Sequence, residues 1–244
     1  MKTRNFLVAV VILVAVGAAV QADAQDSTSD EWHFNLAPLY LWASDLDGTL
    51  TARDRDIAFQ LPFDQAFDNL ETAFTFRFEA WKGRWGILTD FSYMDLSSDK
   101  AVGPLELNVS LENLIAEVSG AYLFDEAAFI FLGARYYGVD SAVTGPMGRD
   151  LQADKSWVDP IVGFGWRPRL SERWSFGAAV DVGGFGIGSN LTWKARAVID
   201  WRVGRFIALG AAYQALDYDY EDTTDGFAYD LLQQGPGAYL RFFW

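Results

Sequence analysis

The chain has 244 residues, a formal net charge of −14, one histidine and no cysteine. The lack of cysteine excludes structural disulfides, thiolate metal sites and a lipoprotein anchor. The acidity argues against nucleic acid as a partner, because nucleic-acid binding needs a basic surface. It favours a surface that faces divalent cations or cationic solutes, or loops that are simply kept solvated.

The N-terminus carries the pattern of a secretory signal peptide. Lys2 and Arg4 precede an apolar stretch over 6–20, and Ala22-Asp23-Ala24 follows as a small-x-small cleavage pattern. Cleavage is expected after Ala24, which leaves residues 25–244 as one domain. The alternative is an uncleaved membrane anchor, which the short apolar stretch disfavours.

The remaining chain shows alternation with a period of two, which is typical of β-strands with unlike faces. After residue 24 no apolar run approaches the ~20 residues that a membrane-spanning helix needs. A membrane protein without such helices must be a closed barrel, because only closure satisfies every backbone group in lipid. We therefore predict an all-β fold, a transmembrane antiparallel up-and-down β-barrel. The alternative is a soluble periplasmic barrel or sandwich with its apolar residues inside.

The first part of the domain is the least regular. A first strand is expected over 32–43, with a bulge or irregularity at Pro38, which cannot donate a ladder hydrogen bond. Residues 44–48 are predicted as a turn and 49–60 as a possible small hairpin. Helical spacing over 62–70 predicts a short helix that caps the barrel or folds into its mouth, with an ordered surface loop as the alternative.

The following segments alternate more cleanly. A switch of apolar parity after Leu111 predicts a β-bulge near Asn113. Short turns alternate with longer loops rich in Asp and Gly, so both termini are expected on the periplasmic side, with about ten strands and a range of eight to twelve. The nine strands after the first are expected at 71–81, 85–95, 105–123, 129–139, 157–167, 174–183, 191–202, 206–216 and the segment that ends at Trp244.

The chain resembles a family of small, largely uncharacterised bacterial outer-membrane β-barrel proteins. The resemblance covers most of residues 25–244, and it implies the fold and the outer-membrane location but no activity. Its last strand is similar to the C-terminal aromatic signal of such barrels, which implies recognition by the barrel-assembly machinery. The residues that carry the resemblance are Lys82-Gly83-Arg84-Trp85-Gly86, Trp157-Val158-Asp159-Pro160, Asp181-Val182-Gly183-Gly184-Phe185-Gly186, Gly235-Pro236 and Tyr239-Leu240-Arg241-Phe242-Phe243-Trp244.

Charged residues of both signs fall on the parity that faces the barrel lumen. They form either a self-neutralising plug, because buried charges must pair, or the lining of a small pore or solute cleft. Small residues beside Asp159 and Asp181 favour a cleft, unless those glycines let the 62–70 segment or Trp157 pack inward. The predicted lumen residues are Arg77, Glu79, Asp90, Glu117, Arg135, Asp159, Arg167, Asp181, Lys194, Arg196, Asp200, Arg202 and Arg241, and the small residues are Gly163, Gly165, Gly177, Ala179 and Gly183.

Most of the ten tryptophans fall near strand ends. This placement is typical of the aromatic girdles of membrane barrels at the lipid–water interface. The predicted interface residues are Trp32, Trp42, Trp81, Trp85, Trp166, Trp174, Trp193, Trp201 and Trp244.

Little in the chain indicates catalysis. His33 has no serine beside it, so a catalytic triad is disfavoured, and one histidine without cysteine makes a zinc or copper site improbable. Acidic residues over 45–47 and 217–222 supply oxygen ligands suited to Ca²⁺, but their spacing matches no complete calcium loop. We expect no catalytic, cofactor or metal residues.

The function expected from the sequence is that of an integral outer-membrane barrel with a structural or narrow channel-like role. Its expected partners are outer-membrane lipids and lipopolysaccharide, the assembly machinery, and a small solute or ions. One alternative is an enzyme that modifies lipid or lipopolysaccharide. The other is a soluble periplasmic barrel that binds an apolar ligand.

Overall fold

The computed structural model describes residues 30–52, 55–98, 108–144, 151–224 and 226–244. The predicted signal peptide and its cleavage site lie outside these ranges, and nothing in the structure bears on them. No helix in the described ranges is long and apolar enough to cross a membrane. The elements are β1 (Trp32–Ala37), β2 (Tyr40–Trp42), β3 (Asp45–Ala52), β4 (Arg55–Leu61), α1 (Phe63–Asp68), β5 (Leu70–Lys82), β6 (Trp85–Ser98), β7 (Asn108–Leu123), β8 (Ala128–Thr144), β9 (Leu151–Trp166), β10 (Trp174–Gly183), β11 (Leu191–Arg202), β12 (Ile207–Asp222) and β13 (Phe227–Phe243).

The sheet closes on itself to form an antiparallel barrel. Strands β5 to β13 pair in sequence order, β13 then pairs with β1, β2 and β3, and β1 pairs with β5. Because β1, β2 and β3 follow one another along β13, they act as one interrupted wall strand. With β5 to β13 this makes ten wall strands, so the predicted fold and strand number are confirmed.

The first wall strand is interrupted where the sequence predicted an irregularity. Strand β1 ends before Pro38, and β2 begins after it. The backbone N–H of Tyr40 donates to Thr75 Oγ1 at 2.9 Å, so a side chain of β5 replaces a ladder bond at the break. The turn predicted over 44–48 is wrong, since β3 already begins at Asp45 and pairs there with β13.

The short helix predicted over 62–70 is confirmed as α1. The backbone N–H of Phe63 donates to Asp45 Oδ1 at 2.8 Å, which ties the start of the helix to β3. Ala66 is buried in the barrel core, whereas Phe63 and Phe67 are exposed and 5.6 Å apart between ring centroids. The hairpin of β3 and β4 also follows the predicted position, although residues 53–54 at its tip lie outside the described ranges.

We call the end of the barrel with the short turns (83–84, 124–127, 167–173 and 203–206) the turn end, and the opposite end the loop end. Outward side chains on the wall are large and apolar, as Val118, Ile130, Leu132 and Leu209 illustrate. Inward side chains at mid-depth are charged, and Arg135 and Asp159 are fully buried. An apolar exterior around a polar interior reverses the arrangement of a soluble barrel.

The loop half of the interior is filled by an apolar and aromatic core, which we call the loop-end core. The rings of Trp157 and Tyr220 stack with centroids 4.0 Å apart, and those of Tyr137 and Tyr218 lie 4.7 Å apart. Its buried members are Leu46, Leu50, Ala66, Leu96, Leu111, Ile115, Tyr137, Val139, Trp157, Leu216, Tyr218, Phe227, Tyr229 and Leu231.

The loop-end core explains why the predicted bulge near Asn113 is wrong. Strand β7 pairs without a register shift through Asn113 with both β6 and β8. Leu111 and Ile115 point into the loop-end core, while Val118 faces outward at mid-depth. The apolar positions switch parity because the interior is apolar at the loop end and charged at mid-depth. The strand itself continues without an extra residue.

Several inward glycines lie directly under aromatic rings from the neighbouring strand. A Cβ on Gly163 would lie 2.2 Å from Phe131 Cζ, and one on Gly165 would lie 2.0 Å from Phe129 Cζ. Gly210 is covered in the same way by Tyr239, its partner across β12 and β13. The space that Gly163 and Gly165 leave is therefore occupied by rings, which fix register by cross-strand packing.

Replacing Gly163 with alanine should destabilise the barrel. The new Cβ would lie 2.5 Å from the carbonyl oxygen of Val180 as well as against Phe131, so the backbone must shift. We expect a loss of about 1–3 kcal/mol in the free energy of unfolding, measured with urea on protein refolded into lipid vesicles. Gly120→Ala is the control, since no atom lies within 4 Å of that Cβ. Equal stabilities of the two variants would contradict this account.

Candidate functional site

Six charged side chains cross the barrel at mid-depth, and we call them the crossing network. They come from β5, β6, β7, β8, β10 and β11, so the network connects opposite sides of the wall. Three cations face three carboxylates, which gives a neutral set. Its members are Arg77, Asp90, Glu117, Arg135, Asp181 and Lys194.

Arg135 is the most enclosed member of the crossing network. Its side chain is fully buried and donates to Glu117 Oε1 at 2.8 Å and to Asp181 Oδ1 at 2.7 Å. A third bond runs from Arg135 Nη1 to Thr192 Oγ1 at 3.3 Å. A planar guanidinium suits this role because it presents several donors in fixed directions.

The chain of charges continues from Glu117 towards β5. Lys194 donates to Glu117, and its ammonium lies 3.9 Å from Asp90 Oδ2. Arg77 pairs with Asp90, and the hydroxyl of Tyr40 donates to the other oxygen of that carboxylate at 2.9 Å. Each charge of the crossing network thus has a partner of opposite sign, as low-dielectric surroundings require.

A second pair of ion pairs lies closer to the turn end. Arg167 pairs with Glu79, and its guanidinium lies over the rings of Trp81 and Phe129 at 5.0 and 4.7 Å. Arg241 Nη2 lies 3.3 Å from Asp200 Oδ2. These pairs are partly exposed, so their charges contact the space inside the barrel.

Asp159, a predicted lumen residue, is buried inside the barrel but does not join the crossing network. Its Oδ1 accepts from the backbone N–H of Ser189 at 2.6 Å, and Trp157 Nε1 donates to Ser189 Oγ at 2.8 Å. The sequence motif 157–160 therefore holds the 184–190 turn. Gly184, Phe185 and Gly186 all have positive φ there, which explains the glycine-rich pattern of the second motif.

The turn half of the interior is an open cavity of about 520 Å³, which we call the cup. The crossing network lies at its deep end, and Glu126, Arg169 and Arg205 line it at the turns. Phe129, Phe131 and other rings form part of its wall. The cup is thus open at the turn end, and the loop-end core lies on the far side of the network.

The cup is cationic, although the chain as a whole is acidic. Eight arginine and lysine side chains and six carboxylates line it. Arg196 and Arg202 were predicted lumen residues, and no carboxylate in the described part of the chain lies within 4.0 Å of either. Instead their guanidinium carbons lie over the rings of Tyr239 and Phe243 at 5.5 and 4.8 Å.

The tryptophans divide between the exterior and the interior. Those exposed on the wall or its rim cluster at the turn end, and Trp174 and Trp201 stack there with centroids 6.2 Å apart. This exposed group also contains Trp32, Trp85 and Trp244, and Trp166 is half-buried beside it.

Three tryptophans depart from the predicted girdle. After the break at Pro38 the chain turns Trp42 inward, where it packs against the loop-end core. Trp81 follows the inward parity of β5 and is only 2% exposed, in contact with Phe129. Trp193 lies on the outward parity of β11 but is buried as well.

Sequence reasoning missed several residues of the interior. Tyr239 donates to Asp200 Oδ1 at 2.7 Å, and Thr192 links Arg135 to Tyr137, whose hydroxyl lies 2.7 Å from Thr192 Oγ1. Tyr239 has the same strand parity as Arg241, and Thr192 has the same parity as Lys194. The sequence pattern could therefore have assigned both residues to the interior. Ser189 carried no signal, because its role depends on how the 184–190 turn folds.

His33 lies at the turn end of the cup, and its Nε2 is buried without a hydrogen-bond partner among the described residues. Within those residues, no group of three or more His, Asp or Glu side chains is arranged to hold a metal ion.

At the loop end, Lys155 Nζ and the backbone N–H of Thr224 donate to Asp222 at 2.9 and 3.0 Å. These bonds, first that from Lys155, lower the pKa of Asp222.

No family model matches the chain, and no curated protein matches it. Among solved structures, the translocator domain of the autotransporter NalP from Neisseria meningitidis is 10% identical, with a TM-score of 0.40 over 97% of this chain and 95% of that one. The outer membrane protease OmpT from Escherichia coli is 9% identical, with a TM-score of 0.45 over 93% and 99%. Ail, the attachment invasion locus protein of Yersinia pestis, is 7% identical, with a TM-score of 0.33 over 87% and 99%. Likenesses this distant assign no activity, ligand or partner to the chain.

Replacing Arg135 with methionine should strongly destabilise the barrel. It removes a cation while Glu117 and Asp181 remain buried, and breaking such a group typically costs about 3–5 kcal/mol. Adding Asp181→Asn should recover part of the loss, because one uncompensated charge disappears. The measurement is urea unfolding in lipid vesicles.

The matched control for Arg135 is Lys82→Met. Lys82 also forms an ion pair, 3.4 Å from Asp30, but both partners are exposed. Its loss should leave the unfolding midpoint unchanged. A midpoint for Arg135→Met close to that of Lys82→Met would show that the crossing network does not stabilise the fold.

Proposed function

We propose that the protein is an integral β-barrel of the bacterial outer membrane, with the turn end on the periplasmic side. The support is the arrangement of its side chains, with apolar residues such as Leu132 and Leu209 exposed on the wall and ion pairs buried inside. Exposed apolar surface of this extent around a barrel is stable in lipid and unfavourable in water. Its partners are outer-membrane lipids and lipopolysaccharide, and β13 serves as the signal for the assembly machinery.

The role that this interior favours is that of a closed, structural barrel with a solute-accessible cup on one side. The observation that carries this proposal is the loop-end core, in which Tyr218, Tyr229 and Leu231 are at most 1% exposed. A permanently open pore needs a continuous water-filled path, and these side chains occupy the middle of that path. The crossing network adds a second, polar layer below them.

A narrow channel is the second candidate function. It is favoured by the water-accessible cup and by the charges of both signs at its deep end. Conduction through the loop half then requires displacement of the loop-end core.

We also propose that the role is not enzymatic. His33 Nε2 has no hydrogen-bond partner among the described residues, so none of their serine or carboxylate groups is paired with that nitrogen. An acyl-transfer site requires a nucleophile and a base in mutual contact.

The proposed location predicts the fractionation of the protein in cells. When it is expressed in a Gram-negative host, the protein should band with lipopolysaccharide in a density gradient and resist extraction by sodium carbonate. Its mobility in detergent gels should change on heating, as closed barrels unfold only then. Release into the soluble periplasmic fraction would favour the alternative of a soluble barrel.

The closed barrel predicts a conductance phenotype. Refolded wild-type protein should give no steady conductance steps in a planar lipid bilayer. Tyr218→Ala combined with Tyr229→Ala removes two rings from the loop-end core, 5.6 Å apart between centroids, and should produce discrete steps.

Tyr213→Ala is the control, because Tyr213 lies on the same strand as Tyr218 but points outward. It should remain as silent as the wild type. Steady steps from wild-type protein with ion preference would replace the closed barrel by the channel. Folding of every variant is checked by its heat-dependent gel mobility.

A further inference from the structure

The cup is lined by more cations than carboxylates, and one cation of this excess, Arg196, lies beside Tyr239. The ring of Tyr239 lies under the guanidinium of Arg196. Arg241 and Arg77 line the same cavity, and Arg241 pairs with Asp200, which accepts from the Tyr239 hydroxyl. Three cations from β5, β11 and β13 thus line the inner part of the cup.

Nearby carboxylates pair with two of these cations but not with the third. Asp200 accepts from the Tyr239 hydroxyl and pairs with Arg241, while Asp90 accepts from Tyr40 and pairs with Arg77. No described carboxylate remains within 4.0 Å of Arg196. The local charge is therefore positive when the cup holds only water.

Two of these cations also have a hydrogen-bond donor without an acceptor in the described part of the chain. Arg77 Nη1 and Arg241 Nε are buried and have no acceptor among the described residues. Both residues line the cup. Buried donors without acceptors are costly, so an acceptor supplied by a ligand would lower the free energy of this region.

The wall of the cup supplies an apolar surface beside these donors. Phe129, Phe131, Phe176 and Phe243 line it, and its volume of about 520 Å³ lies in the range of small-molecule sites. Phenyl rings beside converging cationic donors select a molecule that has one charged end and one apolar body.

We propose that the cup binds a dissolved organic anion, with a carboxylate or phosphate head and an aromatic or alkyl body. The head lies against the guanidinium groups of Arg196, Arg77 and Arg241, which line the cup, and the body lies against the phenyl rings. The guanidinium fork matches both oxyanions. Arg169, Arg202 and Arg205 at the mouth attract the anion from solution. The proposal rests on the proposed function only in that the mouth faces the aqueous periplasm.

Three related probes separate the charge of the ligand from its apolar body. Protein refolded in zwitterionic detergent is titrated with phenyl phosphate, benzoate and phenol by isothermal calorimetry. Phenyl phosphate, benzoate or both should bind at least about ten times more tightly than phenol. Inorganic phosphate should bind more weakly than phenyl phosphate, because it lacks the body.

Arg196→Gln tests the named head position. It should weaken binding of the anion by about tenfold or more, as expected for a lost charge-assisted hydrogen bond. Arg173→Gln removes the same charge from an exposed turn residue outside the cup lining and should bind like the wild type. Arg196→Lys, which keeps the charge but loses the fork, provides an intermediate affinity and a second test if the glutamine variant does not fold.

Several outcomes overturn the proposal. Equal affinity for phenol and both anions, or equal affinity of Arg196→Gln and Arg173→Gln, removes the anion site. Displacement of phenyl phosphate by phosphatidylglycerol added to the micelles assigns the site to a lipid headgroup instead of a dissolved anion. Bilayer conductance is measured on the same preparation. A conducting protein that binds the anion refutes only the closed barrel, and a silent one that does not bind refutes only the anion site.

Discussion

The burial of Arg135 inside a closed wall is the constraint on which the interior depends. A guanidinium out of contact with water is tolerated only when acceptors reach it from several directions. Glu117, Asp181 and Thr192 do so from strands β7, β10 and β11. Their positions fix the register of the wall at mid-depth, and the remaining charges arrange themselves around this centre.

The crossing network divides the interior into two compartments of different chemistry. On the loop side, stacked rings exclude water and bury polar atoms such as Asn113 Nδ2, which donates to the Tyr218 hydroxyl at 3.0 Å. On the turn side, the same barrel keeps a water-accessible cup with arginines on its wall. An acidic chain thus presents a basic inner surface. The net charge of such a chain therefore does not predict which ions its interior attracts.

Much of the architecture follows from the period-two pattern. The alternation of Arg77 and Glu79 with apolar neighbours places them in the lumen, and the short turns set the order of the strands. The pattern failed where one assumption failed, namely that the lumen is polar along its whole length. Leu111 and Ile115 face an apolar lumen at the loop end, so an uninterrupted strand had the appearance of a bulge. Trp42 was misplaced for a related reason, because the interruption at Pro38 resets the parity of the first wall strand.

The sequence predicts which residues belong to the candidate site better than it predicts which ion pairs they form. Sequence parity assigns Arg196 and Arg241 to the interior, but it contains no information on which carboxylate each one meets across the lumen. Partners such as Glu117 and Lys194 are 77 positions apart and meet only through the curvature of the closed sheet. Likewise, the two motifs around Asp159 and Asp181 are read separately in the sequence. They become one unit only when the 184–190 turn folds so that the backbone N–H of Ser189 donates to Asp159.

The closing seam has a consequence for how the molecule forms. Strand β13 completes the wall by pairing with β1, where Asn35 lies opposite Phe243, and with β2 and β3. These contacts join the two ends of the chain, so they carry the largest loop-closure entropy in the molecule. Until the last residues are synthesised, the sheet has two free edges that can pair with other chains. Closure therefore waits for β13, and the nascent protein depends on being held unpaired until that strand is available.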